Sequence, residues 1–387
     1  MNKNDFNSGK FSTSREQKSR YVTSTKANES KKWSIILIAS ILLSAIVTVV
    51  LFMALAPDSL LAWNPFGDGN ASTTPTKNTI PKPTDPNKNY PYTTVTDKTQ
   101  FVASQGGQGM YNLDVNSDYA ILVRLSDMST IGYKDADESI YPASMTKLMT
   151  VIVALDLIEN LDDVYIFEPS VLDVLSGEES TADMKYIYNE YIDDGDFECQ
   201  KYTARDLLYG VSYRSGADSV VCLVDYLGLE MDEFVALMNS KANEIGLENT
   251  RFGGAIGMDS ENNTTTCRDM AAIMAYAMEN PLCAEIFGGV SYRLNHIKMT
   301  YYNSTLHKTL NNMGTTHQKV LGSKYTIVAT KSGLEDKAGY CLVSCIKNNE
   351  TGELFVLVTA KAEKAATYPV NKTPILDMQE IFGELNP

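Results

Sequence analysis

The chain has 387 residues, 44% of them apolar, and a formal net charge of -15. A chain of this length and apolar content can bury a large core, which excludes disorder of the whole. Residues 1–32 hold eight Lys or Arg against three Asp or Glu, so the rest of the chain carries a net charge of -20. Since nucleic-acid binding needs basic surface, this acidity argues against a nucleic-acid partner and fits a solubilising surface charge.

Residues 33–56, WSIILIASILLSAIVTVVLFMALA, contain no charged side chain. As a helix they span roughly 36 Å, enough to cross the hydrocarbon core of a bilayer, whereas buried core helices are rarely so long and so uniformly apolar. Ala54-Leu55-Ala56 resembles a signal-peptidase site, but the long basic segment before the span and Pro57 after it favour an uncleaved anchor. We therefore expect residues 33–56 to form a single transmembrane helix, with residues 1–32 as a basic cytoplasmic tail.

Residues 57–94 have the composition of a linker. Seven of the thirteen prolines lie between Pro57 and Pro91, among Thr, Asn, Asp and Lys. Such a segment cannot build a core and is expected to be an extended extracellular spacer. From residue 95 to residue 387 the pattern is globular, without a repeat or a second proline-rich break, which predicts one domain.

Within residues 95–387, strand patterns occur at both ends and helical patterns between them. In chain order the pattern predicts strands at 119–125 and 131–133, helices starting at 144, 204, 218, 231 and 267, strands at 325–333, 338–348 and 353–362, and a closing helix at 373–385. Strands at both ends predict an α+β fold in which the first and last strands meet in one antiparallel sheet, with helices packed on its faces.

The six cysteines show neither a C-x-x-C motif nor metal-ligand spacing. They lie at positions 199, 222, 267, 283, 341 and 345. Within one strand Cys341 and Cys345 would be roughly 13 Å apart, too far for a disulfide. Most of the six are therefore expected to be small buried apolar side chains.

The stretch YPASMTKLMT places Ser144 and Lys147 three residues apart at a predicted helix start. Helix positions i and i+3 are neighbours, so the hydroxyl and the amine can come within hydrogen-bonding reach. A serine needs a base to become a nucleophile, and a lysine acts as a base when burial or a nearby cation lowers its pKa. The free backbone N–H groups of the helix start could also stabilise an oxyanion.

The same S-x-x-K spacing recurs at Ser344 and Lys347. This second pair lies in a predicted strand, where residues three apart point to opposite faces and cannot cooperate. Ser144 passes this test. By itself the motif still leaves open whether Ser144 is a nucleophile or only a serine at a helix start.

Two further elements strengthen the catalytic interpretation. Lys331-Ser332-Gly333 ends a predicted strand, where the lysine can hold a carboxylate and the serine hydroxyl can donate to it. The glycine lets a substrate backbone lie close along the strand edge. Ser215-Gly216-Ala217 lies between the other two motifs in the sequence.

The order of these motifs resembles the serine D-Ala-D-Ala carboxypeptidases, the low-molecular-weight penicillin-binding proteins of peptidase family S11. The resemblance covers about residues 110–380 and includes PASMTKLMT, TARDLLYG, IGLENTRF, GMDSENNTTTCRDMAAIMAYAMENP, KSGLEDKAGYCLV and FVLVTAKAEKAATYPVNK. It implies a helix-covered, five-stranded antiparallel sheet of the β-lactamase and DD-peptidase type. It also implies a bacterial enzyme, which the expected anchor at residues 33–56 would hold at the cell membrane with its catalytic domain outside.

The resemblance implies a role for each motif residue. Ser144 would be the acylated nucleophile, Lys147 its base, and Ser215 a second hydroxyl that relays a proton toward the leaving D-alanine. The terminal carboxylate would bind at Lys331, Ser332 and Gly333, and the backbone N–H groups of Ser144 and Leu334 would form the oxyanion hole. The implied substrate is a peptidoglycan stem pentapeptide ending in D-Ala-D-Ala, with β-lactams as further ligands and no metal or cofactor.

This chain departs from the family pattern at Ala217, where the family has Asn. Ala217 has no amide to hold the substrate carbonyl or to orient Lys147, and losing one such donor often costs a few kcal/mol in the transition state. Ser332 in place of the usual Thr keeps its hydroxyl. Ala217 therefore motivates an alternative, a non-catalytic or weakly active sensor or scaffold that binds peptidoglycan stems or β-lactams.

Two enzymatic rivals are disfavoured. A zinc D,D-peptidase needs clustered ligands, but the three histidines, His296, His307 and His317, have no partner at ligand spacing. A β-lactamase needs a glutamate for deacylation, and the nearest match to E-x-x-L-N, beginning at Glu244, ends in Glu248 rather than Asn.

Overall fold

The computed structural model describes Tyr92, Val95 and residues 97–105, 111–175, 183–192, 197–303, 305, 321–362 and 373–384. All of these residues fall within one compact unit, Thr74–Pro387. In this part of the chain no helix has both the length and the hydropathy that a bilayer crossing requires. The predicted transmembrane segment 33–56 and the tail before it lie outside the described residues.

The main sheet contains five antiparallel strands and one short parallel strand. In chain order these are β1 (Tyr111–Asn112), β2 (Tyr119–Arg124), β3 (Ser129–Lys134), β8 (Tyr325–Glu335), β9 (Gly339–Asn348) and β10 (Leu354–Ala362). Their order across the sheet is β1-β3-β2-β10-β9-β8. The prediction that the first and last long strands meet is confirmed, since Leu122 of β2 lies opposite Leu357 of β10. β1 was not predicted, because two residues carry no readable pattern.

Two small hairpins lie outside the main sheet. One pairs β4 (Val164–Ile166) with β5 (Lys201–Thr203), and the other pairs β6 (Ser291–Leu294) with β7 (Met299–Tyr302). Neither was predicted. Val164 and Ile166 are both exposed, so β4 lacks the alternation of a half-buried strand.

Eight α-helices are seen in the described ranges. They are α1 (Lys147–Leu157), α2 (Asp183–Ile192), α3 (Ala204–Tyr209), α4 (Ala217–Tyr226), α5 (Met231–Ile245), α6 (Cys267–Ala277), α7 (Pro281–Gly288) and α8 (Thr373–Glu384). The predicted helix at 204–213 is only partly correct. It is α-helical to Tyr209 and continues as a π-helical turn, Gly210–Arg214.

The alternation of side chains along the strands divides the core in two. Val123 and Val358 face a large cluster that contains α1 and α6, whereas Leu122 and Leu357 face a smaller cluster closed by α8. This is the period-two pattern of a sheet buried on both faces. All six cysteines are buried and unbridged, which confirms the prediction that they act as small apolar side chains.

The edge strand β8 carries the predicted carboxylate-binding motif. Among the described residues β8 pairs with β9 alone, and the turn Ala143–Thr146 contacts β8. That turn leads directly into α1, whose residues from Lys147 to Leu155 are all buried. The fold thus brings the start of the central helix beside the sheet edge.

Candidate active site

Ser144 and Lys147 meet at the start of α1. Ser144 lies in a 3₁₀ turn, Ala143–Thr146, so the α-helix begins at Lys147 rather than at Ser144 as predicted. The Lys147 side chain is buried, and its Nζ donates to Ser144 Oγ at 3.0 Å and to the carbonyl oxygen of Ile256 at 2.6 Å. The lysine therefore has one partner on the predicted nucleophile and one on a distant loop that fixes its position.

The turn that presents Ser144 has an unusual backbone. Ala143 has φ +46°, a left-handed conformation that non-glycine residues rarely adopt. Gly257 has φ +92°, and a Cβ there would lie 2.1 Å from the Ala143 carbonyl oxygen, so only glycine fits. Strain of this kind persists where the surrounding structure fixes it, and here the loop around Gly257 does so.

Burial makes Lys147 a better base. Removal from water disfavours its ammonium form and lowers its pKa from 10.5 to about 8, and the carboxylates of Glu335 and Asp218 oppose that change. A lysine with a pKa near 8 is partly neutral close to neutral pH and can accept a proton from the Ser144 hydroxyl.

Ser215 and Lys331 form a second hydroxyl–amine pair. Lys331 Nζ donates to Ser215 Oγ at 3.0 Å and to the carbonyl oxygen of Ser332 at 2.7 Å. Lys331 is buried, and both burial and the charge of Lys147 lower its pKa well below the ordinary value. Ser215 follows the π-helical turn in a left-handed conformation, φ +54°, which ends that turn. The charge of a carboxylate bound beside Lys331 would favour the protonated form of this lysine.

Gly333 lets β8 approach the nucleophile turn. A Cβ on Gly333 would lie 2.8 Å from Ala143 Cβ and 3.0 Å from the backbone nitrogen of Ser144. Leu334, the next residue, is 41% exposed. The backbone of β8 thus passes beside the Ser144 nitrogen where the strand becomes open to solvent.

Two contacts at this site were not predicted. The carbonyl of Ile256 accepts from Lys147 across 109 residues of sequence, and Thr305 Oγ1 lies 2.7 Å from Ser332 Oγ across 27 residues. Backbone carbonyls carry no sequence signal, and an isolated threonine is indistinguishable from others. Only the tertiary fold reveals them.

Ala217 is the first residue of α4, and its methyl group is buried. It offers no donor, as predicted from the sequence. The following Asp218 points elsewhere: its carboxylate accepts from the backbone N–H groups of Met184 and Ser219, both at 2.7 Å. Lys147 is nevertheless held in place, because the Ile256 carbonyl supplies a fixed acceptor for its Nζ.

The second S-x-x-K match behaves as predicted. Ser344 lies inside β9, is buried, and hydrogen-bonds with Thr330 Oγ1 at 2.8 Å, whereas Lys347 is exposed. Glu244, the first residue of the nearest match to the β-lactamase motif E-x-x-L-N, forms a salt bridge with Lys241 at 2.7 Å. Within the described ranges, no cluster of three or more His, Cys, Asp or Glu residues could hold a metal.

Sequence comparison gives the family. The family model of Peptidase S11, D-alanyl-D-alanine carboxypeptidase, matches residues 105–362. The chain is 26% identical over 271 residues to the D-alanyl-D-alanine carboxypeptidase DacF of Bacillus subtilis, covering 70% of this chain and 64% of the relative. It is 33% identical over 229 residues to DacA of Haemophilus influenzae, covering 57% of this chain and 51% of the relative. The matches thus span about half to two thirds of these relatives.

Comparison with solved structures gives the same fold. A D-alanyl-D-alanine carboxypeptidase from Mycobacterium tuberculosis aligns with a TM-score of 0.55 at 20% identity, covering 73% of this chain and 97% of that one. Penicillin-binding protein D2 from Listeria monocytogenes, bound to cefotaxime, aligns with a TM-score of 0.53 at 18% identity, covering 71% and 100%. With the family model matching most of the described domain, the chain belongs to the D-alanyl-D-alanine carboxypeptidase family, Peptidase S11.

Proposed function

We propose that this protein is a serine D-Ala-D-Ala carboxypeptidase that removes the terminal D-alanine from peptidoglycan stem pentapeptides. The observation that carries the proposal is the 3.0 Å hydrogen bond between Lys147 Nζ and Ser144 Oγ, made by a lysine that is 1% exposed. Membership of the family supplies the reaction class. The same serine would be acylated by β-lactams, which makes them expected ligands.

In the first step neutral Lys147 accepts the Ser144 proton as Oγ attacks the carbonyl carbon of the penultimate D-alanine. The new C–O bond places negative charge on the former carbonyl oxygen. The backbone N–H groups of Ser144 and Leu334 are proposed to donate to that oxygen, consistent with the close approach of Gly333 to the Ser144 nitrogen.

In the second step the C–N bond to the terminal D-alanine breaks and its nitrogen takes a proton. We assign that delivery to Ser215, whose hydroxyl lies 3.0 Å from Lys331 Nζ and takes a replacement proton from it. The proton that Lys147 accepted from Ser144 then restores the Lys331 ammonium and leaves Lys147 neutral for deacylation. The Lys331 ammonium and the Ser332 hydroxyl bind the carboxylate of the departing residue. Water then attacks the acyl-enzyme ester, releases the shortened peptide and restores the Ser144 hydroxyl.

Ala217 favours the rival function of a non-catalytic sensor, because the missing amide removes one substrate contact. The contacts of Lys147 speak for turnover. One task of the absent amide would be to orient this lysine, and the Ile256 carbonyl at 2.6 Å does so instead. We therefore expect turnover to persist at a reduced rate.

The test is release of D-alanine from a synthetic stem pentapeptide by the full-length protein, with Ser144→Ala as the inactive reference. The proposal predicts that D-alanine appears in solution and that Ser144 is free of the acyl group after the reaction. A labelled penicillin distinguishes the sensor, because a trapped sensor would take the label on Ser144 and release no D-alanine. Absence of both labelling and release would contradict the proposal.

We also propose that residues 33–56 anchor the enzyme in the cell membrane, with residues 1–32 in the cytoplasm, residues 57–94 as a spacer and residues 95–387 outside. The support is the uncharged segment and the basic excess before it. Protease added to intact cells should remove the domain after the spacer and spare an epitope on the tail. Protection of the domain would contradict this orientation.

A further inference from the structure

Thr305 lies directly behind the predicted carboxylate-binding residue Ser332. Its Oγ1 is 2.7 Å from Ser332 Oγ and also accepts the backbone N–H of Ser332 at 3.3 Å. Thr305 is 7% exposed, whereas Ser332 is partly open to solvent. The buried threonine thus contacts the half-buried serine from the protein interior.

Thr305 is itself held by a buried asparagine. Its backbone N–H donates to Asn303 Oδ1 at 3.1 Å. Asn303 follows β7, is 1% exposed, and donates from Nδ2 to the Gly289 carbonyl at 3.2 Å and from its backbone nitrogen to the Val290 carbonyl at 2.9 Å. The threonine is therefore fixed relative to the segment that joins α7 to β6, and its hydroxyl is not a freely moving surface group.

The hydrogen-bond inventory allows an arrangement in which Thr305 donates to Ser332. A hydroxyl has one proton to donate, and the Ser332 N–H can only donate, so Thr305 Oγ1 acts as acceptor in that bond. Its own proton is then available for Ser332 Oγ. When Ser332 accepts that proton, its own hydroxyl proton is directed away from Thr305, and the chain of two hydroxyls polarises in one direction.

We propose that Thr305 is a positioning residue that directs the Ser332 hydroxyl toward the C-terminal carboxylate of the substrate. The inference rests on the proposed function. The positive charge of Lys331 attracts any anion. Thr305 and Ser332 instead supply a hydrogen-bond donor with a fixed direction. The pair would therefore favour a free carboxylate over a C-terminal amide, which is uncharged and has an NH₂ donor in place of one acceptor oxygen.

The test compares Thr305→Val, which keeps the shape but removes the hydroxyl, with Thr305→Ser, which keeps the hydroxyl. Each full-length variant is assayed on a peptide ending in D-Ala-D-Ala and on the same peptide with a C-terminal amide. For Thr305→Val we expect kcat/KM on the free carboxylate to fall about tenfold, as for one charge-assisted hydrogen bond, with little change on the amide. Thr305→Ser should stay within about twofold of the wild type on both.

The ratio of the two kcat/KM values, measured in one preparation, does not depend on the fraction of the protein that is folded. The double variant completes a double-mutant cycle. In a Ser332→Ala background, Thr305→Val should cause no further loss of kcat/KM, because the threonine acts through the Ser332 hydroxyl. Equal losses on both substrates leave the ratio unchanged; they would show a structural role and overturn the inference. No loss on either substrate would overturn it as well. Such results leave the proposed function intact, whereas a wild type that is neither labelled by penicillin nor able to release D-alanine overturns both.

Discussion

The pKa of Lys147 predicts how acylation of the enzyme depends on pH. Burial lowers this pKa from 10.5 to about 8. At pH 7 a lysine with a pKa of about 8 is neutral about a tenth of the time, which is about 300 times the neutral fraction of an ordinary lysine. Since only the neutral amine accepts the Ser144 proton, the acylation rate should rise about tenfold from pH 7 and level off above the pKa of Lys147.

Replacing Glu335 should shift the pH profile of acylation without altering Ser144 or Lys147. Its carboxylate favours the ammonium form and raises the pKa of Lys147, so Glu335→Gln should lower that pKa and shift the profile to lower pH. The variant would then acylate faster than the wild type at pH 7. Asp336→Asn, which neutralises the next side chain, is the matched control and should leave the profile in place.

The assay is the acylation rate with a labelled penicillin at saturating concentration, followed from pH 6 to pH 9.5. Saturation removes the contribution of ligand binding, so the profile reports the chemical step of acylation. A flat profile, or a Glu335→Gln profile that moves to higher pH, would refute the argument that a desolvated Lys147 is the base.

Two further predictions concern the architecture around the site. Gly333→Ala should slow labelling by penicillin about ten- to a hundredfold, because the new methyl would meet Ala143 Cβ at 2.8 Å and displace the turn that carries Ser144. Circular dichroism should show that the variant stays folded. Labelling at the wild-type rate would contradict this prediction. Asp377→Ala should lower the free energy of unfolding by about 3 kcal/mol in urea denaturation, because the buried carboxylate accepts four hydrogen bonds from Asn116 and Ser117. Its labelling rate at low temperature should be unchanged, and a loss of labelling by folded protein would argue against a purely structural role.

The parts of the site that the sequence predicts are those with a local signal. Pro142 and the apolar spacing after Ser144 indicate a helix start, and the apolar runs of β9 and β10 indicate buried strands. The test that separated Ser144 from Ser344 was also local, because residues three apart share a face in a helix but point to opposite faces in a strand. Fold class and motif residues could therefore be predicted before any tertiary contact was known.

The parts that the sequence does not predict depend on contacts between distant segments. The π-helical turn before Ser215 is one example: a Cβ on Gly210 would lie 2.3 Å from Ser219 Oγ, so packing against α4 shapes that turn. The Ile256 carbonyl and the Thr305 hydroxyl are others, since each is positioned by a loop whose path is set by the whole domain. Such contacts have no periodicity that a single sequence can display.

Identification of the acylated residue tests the central claim most directly. The full-length protein is treated with labelled penicillin, digested, and the modified peptide is sequenced by mass spectrometry, with Ser144→Ala and Ser344→Ala treated in parallel. The account predicts one adduct on Ser144, absent in Ser144→Ala and unchanged in Ser344→Ala. An adduct on another residue, or a label that survives in Ser144→Ala, would contradict it.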